Sequence, residues 1–345
     1  RTPADIKEMV WVVNDDDTSR SEGLLAGDYD FGGILPSYYD QAEAAEEVFF
    51  AEGPLQFVQF WIGFNNFLYD VQDREAMAYA WNYTHFLDKI MLGKGGRMTS
   101  PLPTGIEYGR DDYDYATTNY THAREIMIAK YGNAGGTLTA SDDESDQAWL
   151  DVATGATPFF SFNLTYYGPS TTWQQVATLL VDNFNKIGIN ASGYGATDTE
   201  LDDLTSNPEN FNKFGAVILG WGPDYLEAAN QISPLYQSGQ PYNYMQYNNT
   251  EVDDLLADAS VETDRALRKA YFERIQEIIV EEDYPNIFLL RRKSYEIHTI
   301  YITNWYSNPM TDVQTFYLAH WNPPAVPVVE DDPIIPGFTP AFLIA

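Results

Sequence analysis

Between Pro158 and Trp221 the hydrophobic pattern changes period four times, and this alternation restricts the fold more than any other feature of the 345 residues. Strand patterns at Pro158 to Thr165, Ile189 to Tyr194 and Phe214 to Trp221 enclose helical patterns at Thr172 to Lys186 and Thr199 to Thr205. In the first helix Trp173, Val176, Ala177, Leu180, Phe184 and Ile187 recur at intervals of three and four, so one apolar stripe can lie on a sheet. Strands that alternate with helices imply a parallel or mixed sheet with helices covering its faces. The expected class is therefore α/β.

The last of these strands runs into Gly220-Trp221-Gly222-Pro223-Asp224-Tyr225, a glycine-proline turn that carries one carboxylate between two aromatic rings. In an open α/β sheet the ligand crevice lies beyond the carboxyl ends of the strands, which would set Trp221, Asp224 and Tyr225 around a bound molecule. Two readings of these residues stand side by side. Asp224 either anchors a cation or caps a following helix, and Trp221 either walls a pocket or fills core.

Elsewhere the pattern predicts strand Lys7 to Asn14, helix Ser19 to Ala26 and strand Tyr29 to Gly33, one β-α-β unit with Gly27-Asp28 as its turn. A strand from Phe57 to Phe64, helices at Val71 to Trp81 and Thr121 to Tyr131, and a glycine loop at Gly93 to Gly96 follow. Helices at Val252 to Ala259 and Asp264 to Glu282 precede two strands, Asn286 to Arg291 and Tyr295 to Ile300.

Fifty-one acidic against nineteen basic residues give a net charge of −32, which disfavours nucleic acid and anionic membranes as partners and suits a halophile-like or mineral-rich setting. There is no cysteine, so thiol catalysis, disulfides and thiolate metal sites are excluded. His85, His122, His298 and His320 lie far apart and no pair has the spacing of a zinc helix. The acidic runs Asp111, Asp112, Asp114 and Asp142, Asp143, Asp146 lack the spacing of a calcium loop and read as solvated loops. No nucleophile elbow, dinucleotide fingerprint or phosphate loop occurs, so no metal, no cofactor and no enzyme activity are expected.

Five N-x-[ST] sequons, at Asn82, Asn119, Asn163, Asn190 and Asn248, point to an extracellular glycoprotein. Arg1 opens the chain without a leader pattern, so a secretory leader is expected to be removed or upstream. Residues 323 to 345 read as a proline-rich stalk entering an apolar C-terminal anchor or sorting segment, whose Pro336-Gly337-Phe338 start resembles archaeal surface proteins.

The order of these segments resembles solute-binding protein family 5, the dipeptide- and oligopeptide-binding components of ABC importers, over its C-terminal two-thirds. Ser21-Glu22-Gly23-Leu24-Leu25-Ala26-Gly27-Asp28-Tyr29-Asp30 is similar to the family's "aLqaGevDi" turn, and Asp70 to Trp81 to its "d-vR-A-ayAid" helix. The segment Ile218 to Tyr225 resembles "GW-aDy-dP", and Tyr247-Asn248-Asn249-Thr250-Glu251-Val252-Asp253-Asp254-Leu255-Leu256 resembles "ysNpevD-LL". After Tyr225 the family's usual proline is replaced by Leu226-Glu227-Ala228-Ala229.

The resemblance implies a periplasmic-binding-protein-like fold (type II, cluster C) with mixed sheets flanked by helices. It implies that Asp224 pairs with the α-amino group of a bound peptide, that Trp221 forms a pocket wall, and that Tyr225 and Asn230 lie beside them. Residues 51–302 would form the ligand-binding lobe, and residues 1–50 with 303–322 parts of a first lobe whose remainder is a missing N-terminal segment or a separate N-terminal chain. Lobe closure around a peptide would present it to a membrane permease. The expected function is peptide binding for import, at the cell surface. The alternative is self-assembly as a surface-layer or filament subunit on the same fold.

Overall fold

A computed structural model describes residues 6–133, 136–141, 147–305 and 319–322. The acidic run from Asp142 to Asp146, and the stalk and anchor segment, lie outside the described residues. In chain order the elements are α1 (Asp17–Ala26), α2 (Tyr39–Ala44), β1 (Val48–Phe64), α3 (Val71–Ala80), α4 (Tyr83–His85), β2 (Gly95–Arg97), α5 (Tyr120–Tyr131) and α6 (Gln147–Thr154). They continue as β3 (Ser161–Tyr167), α7 (Thr171–Asn185), β4 (Asn190–Ala196), α8 (Asp198–Ser206), β5 (Ala216–Trp221), α9 (Ala228–Tyr236), α10 (Thr250–Val261) and α11 (Arg265–Glu277). The last are β6 (Asn286–Thr299), β7 (Ile302–Thr303) and β8 (His320–Trp321).

The chain divides into two compact units, residues 55–292 and the two flanks 1–54 and 293–345. A six-stranded sheet has the order β2-β6-β1-β5-β3-β4. Strand β3 runs parallel to β4 and β5, whereas β1 with β5 and β2 with β6 are antiparallel, so the sheet is mixed. Helix α7 starts where Ser170 accepts a hydrogen bond from the Trp173 amide, and it lays Trp173, Val176, Ala177, Leu180 and Phe184 on β3 and β4. That is the predicted stripe, and Ile187 just beyond it is fully buried as well. Trp61, Trp81, Trp149, Phe64 and Phe272 complete this core. The flanking unit has two small apolar clusters, one around Leu24, Tyr39 and Ile297 and one around Ile302, Trp305 and Ala319.

Several expectations are corrected. The β-α-β unit at the start is present only as its helix: residues 6–16 form no strand, and Phe31 makes a single bridge with His298 where a strand was expected. The two strands expected between Asn286 and Ile300 are one, because Lys293 and Ser294 stay extended, with Ser294 Oγ bonded to the Pro54 carbonyl at 3.0 Å. The helix expected to end at Glu282 changes at Ile278 to a π-helical turn that closes on Tyr284, whose φ of 46° reverses the chain. The glycine loop is half strand, since Gly95 lets its backbone reach β6, where a Cβ would come within 2.6 Å of Leu290.

Candidate functional site

Strand β5 ends on the turn singled out in the sequence. Its register with β1 sets Gln59 opposite Trp221 and Phe60 opposite Gly220. Gly220 and Gly222 are there for packing: a Cβ on Gly220 would meet the Phe60 ring at 2.7 Å, and one on Gly222 would meet Val58 at 3.1 Å. Phe60 in turn packs on Trp173, with the Arg292 guanidinium 4.4 Å from its ring centre. The strand end is thus held rigidly from one side.

Trp221 is half-buried and packs against the main core. Its ring lies 5.2 Å from Tyr242, which meets Tyr244 edge-on at 6.1 Å, so an aromatic row leads away from the strand end. Tyr244 lines a cavity of about 330 Å³ together with Thr205, Ser206, Phe211, Gln240 and Asn248, and no charged side chain faces it.

Asp224 and Tyr225 are exposed, Tyr225 at 57%. The helix-cap reading of Asp224 does not hold: α9 is capped by Glu227, whose carboxylate accepts from the amides of Ala229 at 2.8 Å and Asn230 at 3.3 Å. Glu227 is fixed by an ion pair with Arg268. The side chain of Asn230, in the first turn of α9, accepts from the Asp224 amide at 2.9 Å and donates to Asp224 Oδ2 at 3.3 Å. Asp224 makes no ion pair among the described residues. Its carboxylate is therefore oriented by a neutral amide while its charge remains uncompensated.

Asp224 and Tyr225 thus lie in the turn between Trp221 at the end of β5 and Asn230 in α9, which positions Asp224. Tyr242, Tyr244 and Glu227 were not anticipated. The run Pro241-Tyr242-Asn243-Tyr244 carried the usable signal, aromatic residues in a turn-rich stretch between two helices. Asn243 ties that stretch together by accepting from the Tyr247 amide and donating to the carbonyls of Gln237 and Tyr247.

Among the described residues no group of three or more His, Asp or Glu is placed to hold a metal ion. Asp112 is paired with Arg110, and the Asp114 amide donates to Glu281. The five sequons fall in different settings. Asn82 and Asn119 cap α4 and α5 through bonds from the His85 and His122 amides, and Asn163 is held in the sheet by Gly215 and Lys213. Asn190 and Asn248 are exposed.

Residues 1–243 match the family model described as Bacterial extracellular solute-binding proteins, family 5 Middle. The chain belongs to family 5 of the solute-binding proteins. Its similarity to the probable D,D-dipeptide-binding periplasmic protein DdpA of Escherichia coli is 24% identity over 288 residues, 81% of this chain and 49% of DdpA. The fold is that of the oligopeptide-binding protein AppA from Bacillus subtilis, solved in complex with a nonapeptide, with a TM-score of 0.74 at 21% identity over 90% of this chain and 60% of AppA. A Pseudoalteromonas dipeptide-binding protein in complex with Met-Leu matches with a TM-score of 0.73 at 16% identity, over 90% of this chain and 57% of its own. So does NikA from Staphylococcus aureus in complex with Ni(L-His)2, at 0.74 and 16%, over 90% and 61%. The chain spans about half the length of the curated relative it matches. These neighbours confirm the periplasmic-binding-protein-like α/β class with a mixed sheet flanked by helices. Among the described residues no helix is long and apolar enough to cross a membrane.

Proposed function

We propose that this chain is the greater part of the ligand-binding body of an extracellular substrate-binding protein that captures peptides for an ABC permease. The observation that carries the proposal is the turn after β5, where an exposed carboxylate without a cationic partner among the described residues is held by Asn230 close in sequence to a half-buried indole. An oriented carboxylate that lacks a counter-ion gains most from a ligand cation such as a peptide's α-ammonium group. Trp221 and Tyr242 add aromatic area for a side chain. Main-chain hydrogen bonds would supply the rest of the affinity, so side-chain identity need not be read. DdpA and the peptide-bound neighbours support a peptide ligand; the nickel-complex neighbour shows that the fold itself does not choose the ligand class.

The same reading makes residues 51–302 the ligand-binding lobe and assigns the flanks 1–50 and 303–322 to a first lobe; the compaction of residues 55–292 supports this division. It gives the chain no catalytic residue. It places the protein at the cell surface, anchored through its C-terminal segment and glycosylated first at Asn190 and Asn248, which are exposed and, unlike the exposed Asn119, cap no helix.

The test is calorimetric titration of the complete protein with a dipeptide and an oligopeptide, each with a free or an acetylated amino terminus. Acetylation and Asp224→Asn should each weaken binding by at least tenfold, and together by no more than either alone. Equal affinity for free and acetylated peptides would refute the role of Asp224.

A further inference from the structure

Tyr244, at the far end of the aromatic row, lines the cavity of about 330 Å³, all of whose walls belong to the unit of residues 55–292. In this chain 20% of residues are charged, yet none of the twelve that line the cavity is. Three of them are aromatic, Phe211, Tyr244 and Tyr247, and four carry side-chain amides, so the wall is neutral, polar and partly flat. Gly239 leaves the rim open, since nothing stands within 4 Å of where a Cβ on it would lie. The polar groups are held in place without being used up. The Thr205 hydroxyl donates to the Leu201 carbonyl at 2.8 Å, which leaves its lone pairs as acceptors. Gln246 has a φ of 53°, a left-handed backbone that only glycine adopts freely and that persists where the surroundings fix it. Its backbone amide donates to the Asn243 carbonyl at 3.0 Å and its side-chain amide to the same oxygen at 3.4 Å, while its Oε1 has no partner among the described residues. The Asn248 side chain makes no hydrogen bond among them either. The loop that carries both is pinned to the end of β1, where the backbone and side-chain amides of Asn66 donate to the Met245 carbonyl at 2.8 and 3.0 Å.

A charged ligand would find no counter-charge in such a cavity, and a wholly apolar one would leave its amides and hydroxyls unpaired. A sugar ring answers both conditions, because its hydroxyls donate and accept while its C–H face packs on an aromatic ring. The volume lies at the small end of the range of about 300–1,000 Å³ for small-molecule sites, which suits a ligand of one or two rings. Asn248 is also the acceptor of the sequon Asn248-Asn249-Thr250, so a glycan attached to it would begin at the cavity wall.

We propose that this cavity, between the C-terminal end of α8 and the loop 239–248, seats the ring of a neutral sugar, supplied either as a free saccharide or as the innermost sugar of a glycan on Asn248. The proposal is independent of the peptide ligand and of Asp224.

The test is titration of the complete protein from its own cells, as wild type and as Asn248→Gln, with glucose, N-acetylglucosamine and glucuronate, followed by saturation-transfer NMR. The neutral sugars should bind at millimolar concentrations and glucuronate at least tenfold more weakly. Binding by the wild type supports a free saccharide as the source, and binding by Asn248→Gln alone supports the glycan, which would then occupy the cavity of the wild type. In the background that binds, Gln246→Gly and Tyr244→Ala should each weaken the neutral sugars at least fivefold. Glycine takes a φ of 53° without strain, so Gln246→Gly should keep its melting temperature and its dipeptide affinity, and its loss of sugar binding would not be a loss of fold. Failure of both the wild type and Asn248→Gln to bind either neutral sugar would overturn the proposal. So would glucuronate that binds as tightly as glucose, or full sugar affinity in both cavity variants.

Discussion

Arg74 offers the sharpest test of how the ligand-binding body is held together. It sits in α3, 5% exposed, and its Nε and Nη2 donate to the Asp283 carbonyl at 3.0 and 2.7 Å while Nη1 donates to the Tyr69 carbonyl at 2.5 Å. The Asp283 carboxylate accepts from Tyr247 at 2.5 Å and Asn249 at 2.8 Å, so one residue links α3, the π-helical turn before β6 and the loop that leads into α10. Burial lowers the guanidinium's proton affinity, and the charges of Asp283, Asp70 and Asp73 oppose that. Replacing Arg74 by Met removes three charge-assisted bonds, each contributing roughly 1.5 to 3 kcal/mol, and leaves two carbonyls short of donors. Relief of the cost of burying a charge returns several kcal/mol of that total. The net loss should be about 3 kcal/mol. Arg74→Lys, which can serve only one carbonyl well, should lose about half as much. In urea unfolding followed through the buried tryptophans, with a slope near 3 kcal/mol/M, Arg74→Met should lower the midpoint by about 1 M at unchanged slope. Combined with Asp283→Ala, it should cost less than the sum of the two changes, because both act on one network. A midpoint shift below about 0.3 M, or strict additivity, would show that the guanidinium does not organise these segments.

Gly215→Ala should destabilise by about 2 kcal/mol in the same assay, because its Cβ would lie 2.9 Å from the Asn163 carbonyl and 3.0 Å from the Tyr69 hydroxyl; an unchanged midpoint would mean that β3 and β5 can part without cost. With a net charge of −32, the melting temperature should rise steadily between about 0.1 and 1 M KCl as the screening length falls from about 10 to 3 Å, and a flat or falling profile would contradict a repulsion-limited fold. Burial holds His298 below its ordinary value of 6.5, so as the pH falls through that value the unfolded chain takes up a proton before the folded one does. The folded state therefore loses stability on acidification below about pH 6.5, and His298→Phe should remove that component; an identical pH profile in the variant would show that the ring titrates freely.

What the sequence disclosed about the fold follows from how local each cause is. Helix α7 was legible because its stripe and its Ser170 cap both lie within sixteen residues, and α10 because Asn249 caps it in the same local way. Helix α9, present in the sequence only as a helix that Asp224 could cap, received no bounds: Pro234 lies inside it and its cap is a glutamate, and only the ion pair of Glu227 with Arg268, forty-one residues away, shows why the cap is held. Lys293 and Ser294 read as a break between two strands because both are polar, yet each is satisfied across the chain, Lys293 by Glu52 and Ser294 by Pro54. Residues 7–14 read as a strand and form none, because a strand also needs a neighbour, which no local pattern supplies.

The candidate site divides along the same line. Trp221, Asp224 and Tyr225 are contiguous with the strand that presents them, so their association could be read directly. The task of Asn230 could not, because whether Asp224 caps α9 or is itself held by it depends on which acidic residue takes the cap. Glu227 does so with one carboxylate oxygen and pairs with Arg268 through the other. That arrangement frees Asp224 from a structural duty and leaves Asn230, a neutral donor, to orient it. Asn230→Ala should therefore weaken capture of a free peptide amino terminus by a few-fold while α9 stays folded, since its cap is elsewhere. Titration with free and acetylated peptides, alongside far-ultraviolet circular dichroism, separates the two effects. If Asn230→Ala unfolds the helix or leaves the preference for a free amino terminus untouched, Asn230 does not position Asp224.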